Sequence, residues 1–179
     1  MPEITIRTVT PEDIDTLSAL EHGYYSEYVW QMSLDLDPRE FRTEFRRVRL
    51  PRRVMVPYPR HRDMIFQGLD RPLAFLVAEL AGQPVAYARV EEKCESFTAR
   101  VSDLVVSAPM RRQGIASGLL VSVMNFISKR NYHYLILEMQ SKNDPAVAMA
   151  AKLGFNYSGF MDHYFPNQEL ALFFSRFVR

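Results

Sequence analysis

The sequence is poor in the residues from which covalent scaffolds and metal centres are made. One cysteine, Cys94, stands among 179 residues, so no internal disulfide is available and a reducing compartment is expected. No base partner is evident for it, and it reads as an ordinary thiol. The four histidines, His22, His61, His133 and His163, are scattered, and no Cys/His cluster has zinc spacing, so no metal is expected. No apolar run approaches the ~18 residues that a bilayer span needs. Met1-Pro2-Glu3-Ile4-Thr5 lacks the basic-then-apolar order of a signal peptide. The net charge of +1 gives no global pull towards nucleic acid or anionic lipid. Neither G-x-G-x-x-G nor Gly-Lys-Ser/Thr occurs, which removes the dinucleotide and Walker phosphate loops. A cytoplasmic chain without membrane or nucleic-acid partners is therefore expected. Its 47% hydrophobic and 24% charged residues suit one globular domain over residues 1–179.

The pattern along the chain mixes strands and helices. Ile4-Thr5-Ile6-Arg7 alternates as a half-buried strand does. Thr10-Pro11-Glu12-Asp13 has the cap, the proline and the acids of a helix start, with Ile14, Leu17 and Leu20 on one face. By the same logic Asp37-Pro38-Arg39-Glu40 predicts a second helix through Phe41, Phe45 and Val48, ended by Pro51. The Pro/Arg-rich run 51–62 is read as a solvated connection rather than a substrate-facing lid. Tyr24, Tyr25, Tyr28 and Trp30 are read as core. From residue 73 strands dominate: 73–80 and 85–90 as a hairpin, then 98–107. A long amphipathic helix follows from about Gly114 to Lys129, then a buried strand at 134–140. Asn143-Asp144-Pro145 opens another helix that Gly154 closes, and strands at 155–165 and 170–178 end the chain.

The chemistry is concentrated where the strand ending in Leu104-Val105-Val106 runs through a short loop into the long helix. The first turn of a helix has N–H groups without internal partners and a partial positive charge, which makes an anion site out of backbone. Gly114 and Ala116 leave those amides accessible, and Arg111 and Arg112 add charge at the mouth.

The run Arg111-Arg112-Gln113-Gly114-Ile115-Ala116 (R-x-x-G-x-A) resembles motif A of the GNAT acetyltransferases. Asn143-x-x-Ala146 and Lys152-Leu153-Gly154-Phe155 resemble that superfamily's downstream N-x-x-A and K-x-G-F pattern. Similarity to the streptothricin acetyltransferase branch is seen in Leu137-Glu138-x-Gln140 and Gly159-Phe160-Met161-Asp162-His163-Tyr164. The resemblance implies an α/β (α+β) GNAT fold: a mixed central sheet of six to seven strands, flanked by about four helices and splayed between its fourth and fifth strands. It implies acetyl-CoA as cosubstrate, its pyrophosphate on the amides of residues 112–117, including Gln113, Ile115 and Ser117. The pantetheine arm would lie along the strand of Val105 and Val106, and Asn143 would help to hold it. The acceptor is expected to be a primary amine, on a small molecule or alternatively on a protein; a CoA-sensing module without turnover is the third reading. The substrate pocket would be built by the first two helices and the hairpin near residues 91–98. A homodimer is common among such enzymes.

Transfer to an amine needs a proton acceptor, because an amine of pKa near ~10 is mostly protonated at neutral pH. Asp103 interrupts an apolar strand beside the expected acetyl position and is the first candidate, with Glu79 and Glu138 behind it. Members of the superfamily often carry a tyrosine acid four residues before the glycine of K-x-G-F; here that position is Ala150. Tyr164 is the expected replacement, with Tyr157 or water as alternatives; a further alternative is that the thiolate, being a good leaving group, needs no dedicated acid.

Overall fold

The computed structural model describes residues 4–93 and 97–178; Cys94 lies outside them. Seven strands form one mixed sheet: β1 (Ile4–Thr8), β4 (Ala74–Leu80), β5 (Gln83–Lys93), β6 (Thr98–Val106), β7 (Tyr134–Gln140), β9 (Ala171–Phe177) and β8 (Asn156–Met161), in that spatial order. Neighbours are antiparallel except β6 and β7, which run parallel. A parallel pair needs a crossover, and α3 (Ile115–Ser128) supplies it. Its face of Ile115, Leu119, Leu120, Val123 and Ile127 is buried against alanines and valines of β4, β5 and β6. The opposite face of the sheet carries Phe75, Val77, Tyr87 and Val105, covered by α1 (Ile14–Ser18), α2 (Arg62–Phe66) and the residues around them. The fourth helix, α4 (Asp144–Lys152), is followed by Gly154 at φ +73°, a left-handed stop that glycine takes without steric cost. Among the described residues no helix is long and apolar enough to cross a membrane.

The second helix expected from Asp37 onward does not form. Residues 24–56 are a long antiparallel hairpin, β2 (Tyr24–Asp37) and β3 (Glu40–Val56), turning at Pro38-Arg39. Asp37 does use its side chain to bind a backbone amide, accepting from Arg39 N at 2.9 Å, but this closes a turn instead of capping a helix. The aromatic and aliphatic residues fit both periods. Phe41 and Phe45 are a helical turn apart, yet Leu36–Phe41, Leu34–Thr43 and Met32–Phe45 also sit opposite one another in the ladder. Cross-strand pairing and β-rich composition prevail. Pro51 ends nothing; it lies in an irregularity, where Ser26 pairs with Val54 but Tyr28 already pairs with Arg49. A bulge is where a strand tolerates a residue that lacks a ladder donor.

The hairpin base is anchored across the main sheet. Phe45 meets the rings of Tyr157 and Phe160 at 5.6 and 5.4 Å. Trp30 N donates to Ser141 O at 2.9 Å, and Arg47 makes a two-pronged pair with Asp144. Beyond it the tip is open, with Phe41 80% exposed.

Candidate active site

The site arises from a break in the sheet. β6 and β7 pair from Thr98–Tyr134 to Val101–Leu137 and no further, so residues 102–106 and 138–140 diverge. A cleft of about 80 Å³ opens there. Its walls include Ser102 and Leu104 of β6, Glu138 and Gln140 of β7, Asn143, Ala146 and Met149 at α4, and Tyr24, Tyr58, Arg60 and Phe165 opposite. This is the splay between the sheet's fourth and fifth strands.

A bulge aims the side chains. Arg89 pairs with Asp103 but Val90 with Val101, leaving Ser102 as an extra residue. Without it, strict alternation would send Asp103 to the α3 face. With it, Asp103 shares the opposite face with Arg100, and its side chain is 1% exposed. Asp103 Oδ1 accepts from Tyr58 Oη at 2.8 Å and lies 3.5 Å from Arg60 Nη1. Burial, and then the Asp103 carboxylate, push the Tyr58 phenol well above its ordinary value, so Tyr58 remains a hydrogen-bond donor.

Glu138 is the more heavily engaged carboxylate. Its side chain is fully buried, and it is held by Arg60, by Arg100 at 3.2 Å and by Tyr164 Oη, which donates at 2.7 Å. Arg100 also donates to the Tyr164 oxygen at 2.8 Å and pairs with Glu91. Buried carboxylates persist only when paired in this way. Further along the cleft, Tyr24 Oη donates to Gln140 Oε1 at 3.0 Å. Burial raises the Tyr24 phenol above its ordinary value. His22, buried beside this cluster, has a ring nitrogen 2.9 Å from Tyr87 Oη, and burial lowers its pKa.

The structure therefore brings Asp103, Glu138 and Tyr164 into one cluster, while Glu79 is elsewhere, paired with Arg7. Tyr164 reaches Glu138 rather than the cleft lining; the phenols that line it are Tyr24 and Tyr58. Tyr157 packs against Phe45 and Phe174. Ala150 is buried in the core. Sequence reasoning passed over Tyr58, Arg60 and Arg100. The signal for the first two was the Pro/Arg-rich run, read as solvated; its residues 51–56 belong to β3, and Tyr58 and Arg60 reach into the cleft. Arg100 gave no local signal, since its role comes from partners on other elements, Glu138, Tyr164 and Glu91.

At the C-terminal end of β6, Val105 is buried and Val106 half-buried. The Val106 carbonyl accepts from Arg111 Nε at 2.9 Å, and Arg111 Nη2 donates to Glu21 O at 2.5 Å. Arg111 thus fastens the loop. Arg112 and Gly114 take positive φ, +67° and +85°; successive amides around left-handed residues form an anion-binding concavity. Arg112, Gln113 and Gly114 are exposed, Ile115 is buried, and Ala116 and Ser117 are half-buried. The N-cap residue of α3 is Gly114, which has no side chain to cap it, so the loop and the first turn offer backbone donors that fit a diphosphate. Asn143 Oδ1 caps α4 by accepting from Ala146 N at 3.2 Å, and the residue also lines the cleft.

The site is thus a sheet opened between two parallel strands, with an amide-rich loop after β6 and two buried carboxylates beside the cleft. A profile of the acetyltransferase (GNAT) family matches residues 33–155, and the chain belongs to that family. The fold is similar to that of nourseothricin acetyltransferase, with a TM-score of 0.83 at 20% identity, covering 98% of this chain and 99% of that one. A Bacillus anthracis str. Ames protein assigned as a streptothricin acetyltransferase and solved with acetyl coenzyme A gives a TM-score of 0.79 at 18% identity, over 98% and 99%. The ribosomal-protein-S18-alanine N-acetyltransferase of Escherichia coli gives 0.69 at 19%, over 98% and 94%. No curated protein sequence matches the chain significantly.

Proposed function

We propose that this protein is an acetyl-CoA-dependent N-acetyltransferase whose acceptor is a primary amine on a small molecule. The observation that carries the reading is the pair of buried carboxylates, Asp103 and Glu138, beside the cleft at the splay of β6 and β7. The cleft is small, about 80 Å³, and is lined by Tyr24, Tyr58 and Phe165, which suits a small acceptor better than a folded protein. That one structural relative is described as complexed with acetyl coenzyme A, and that two are named as acetyltransferases of nourseothricin and of streptothricin, supports both halves of the proposal.

In this reading the diphosphate of acetyl-CoA rests on the backbone of residues 112–117, and its pantetheine arm runs along Val105 and Val106, with Asn143 beside it. The acceptor enters as an ammonium ion. Asp103 or Glu138 takes one proton, and the freed amine attacks the thioester carbon. As the C–S bond breaks, the second amine proton leaves with the thiolate, a good leaving group that needs no dedicated acid. Tyr164 acts through Glu138 and is a positioning residue. The test is thiol release from acetyl-CoA across a panel of amines: streptothricin-type compounds, simple diamines and a peptide with an N-terminal alanine. Turnover of the small amines alone is expected. Turnover of the peptide alone would move the acceptor class to proteins, and no release with any amine would leave a CoA-sensing module.

A further inference from the structure

We infer that Arg60 is an internal competitor of the acceptor: its guanidinium, set on Glu138 and Asp103 at the cleft, occupies the place of the substrate's cation and is displaced when that cation binds. The inference rests on the amine-acetylation reading above.

Four observations carry it. Arg60 lines the cleft and spans both carboxylates; it pairs with Glu138, lies 3.5 Å from Asp103 and donates to the Ser102 carbonyl at 2.5 Å. That carbonyl belongs to the bulge beside which the acetyl group would lie. Secondly, the cluster is already balanced. Asp103, Glu138 and Glu91 face Arg60, Arg100 and Arg89, so an ammonium added to the full set would be an uncompensated cation in a desolvated place. Exchange of one cation for another keeps the balance. Thirdly, exchange strands neither acid: Asp103 keeps Tyr58, and Glu138 keeps Arg100 and Tyr164. Finally, Arg60 is the member that can leave. It stands in the short connection between β3 and α2, outside any helix or strand, against the ring of Phe165 at 5.6 Å. Arg100 is bound into the β6 ladder. Departure of Arg60 also frees carboxylate oxygens to accept the proton that the acceptor must lose, so the base is exposed only when a cation has arrived. The acceptor class that follows is an amine carrying its positive charge at the reacting nitrogen; neutral amines of similar size lack the means to displace Arg60.

Binding of 1,5-diaminopentane to the CoA-saturated full chain, measured by calorimetry, tests this without requiring turnover. Arg60→Gln is expected to bind the diamine about tenfold more tightly than the parent, with unchanged CoA affinity. In Arg60→Gly, methylguanidinium should compete with the diamine, whereas in the parent it should not. Equal or weaker diamine binding in Arg60→Gln, or none in either protein, overturns the inference. Should the variants fail to fold, a crystal structure of the parent with CoA and the diamine decides: Arg60 away from Glu138 supports displacement, and Arg60 still on both acids refutes it. Absence of thiol release by the parent would count against the acetylation reading alone, because these binding outcomes are read independently of it.

Discussion

The two sides of the cleft are built by different means. On the proposed coenzyme side the groups are backbone: the loop before α3, with Arg112 and Gly114 at positive φ and no side-chain cap. On the acceptor side the groups are side chains drawn from distant elements: Tyr24 from β2, Tyr58 and Arg60 from the connection after β3, Arg100 and Asp103 from β6, Glu138 from β7 and Tyr164 from the turn after β8. A backbone site needs a local conformation, which one short motif can dictate. A side-chain site needs a tertiary arrangement, and its members carry no mark of it in their own neighbourhoods. The first kind tolerates changes of side chain away from its glycine; the second is exposed to single substitutions throughout.

The largest effects should fall on the side-chain wall. A positioned proton acceptor contributes ~10²–10⁴ in rate. Glu138→Gln or Asp103→Asn, whichever removes the base, is expected to lower kcat by about 10³ with CoA affinity nearly unchanged, and to flatten the acid limb of the kcat/KM profile. Parallel measurement of both separates them, and an unaltered profile in one removes that residue as base. On the backbone wall, Gly114→Asp places a side chain and a negative charge at a φ of +85°, where the diphosphate is proposed to sit. A loss of about 100-fold in CoA affinity is expected, ~2.8 kcal/mol at 1.4 kcal/mol per tenfold. Retained affinity would remove the loop as the phosphate site.

The same division explains what could be read from the sequence. The strand–loop–helix around Arg111 to Ser117, the buried strand of β7 and the α4 cap at Asn143 are local patterns, and the structure has them. Asp103 and Tyr164 were legible as isolated polar residues, but the three contacts that bury Glu138 depend on partners 26 to 78 residues away. The hairpin of β2 and β3 failed for another reason. Asp37-Pro38 fits both a helix start and a tight turn, and Phe41, Phe45 and Val48 are compatible with either period. Only pairing with residues 24–37 decides between them, and the periodicity of either segment by itself does not show that pairing. Arg60 was lost with it, because a solvated run and a run that turns inward have the same composition.

That hairpin can be tested in its own right. Phe45 sits where the arm meets the sheet, against Tyr157 and Phe160, and is half-buried. Truncation removes apolar burial and two ring contacts, so Phe45→Ala should cost about 2 kcal/mol in urea unfolding. Phe41→Ala, four residues on towards the tip and 80% exposed, should stay within ~0.5 kcal/mol. Equal costs at both positions would mean that the arm is stabilised along its whole length, by contacts of the tip as well as of the base.

A smaller effect than that of Phe45 concerns Asp13, where the sequence and the structure assign different causes to the same carboxylate. As an acid at a helix start it should respond to the helix dipole. In the structure Arg7 binds both of its oxygens, at 2.7 and 2.8 Å, and Thr10 N donates to it at 2.8 Å. The Arg7 hydrogen bonds, opposed by burial and helped by Thr10, lower it from an ordinary 3.8 to about 2. A carboxylate depressed on folding adds stability that is complete above its unfolded value and lost as pH falls through the folded one. The parent and Asp13→Asn should therefore differ at neutral pH and converge between about pH 4 and pH 2. The difference is about 1 kcal/mol, smaller than the shift alone would give at ~1.4 kcal/mol per unit, because the Arg7 side chain is 36% exposed and solvent screens the pair. Arg7→Gln identifies the cause. If the guanidinium holds the carboxylate, the acid limb disappears in this variant; if the limb survives, the helix start and Thr10 are sufficient to hold it.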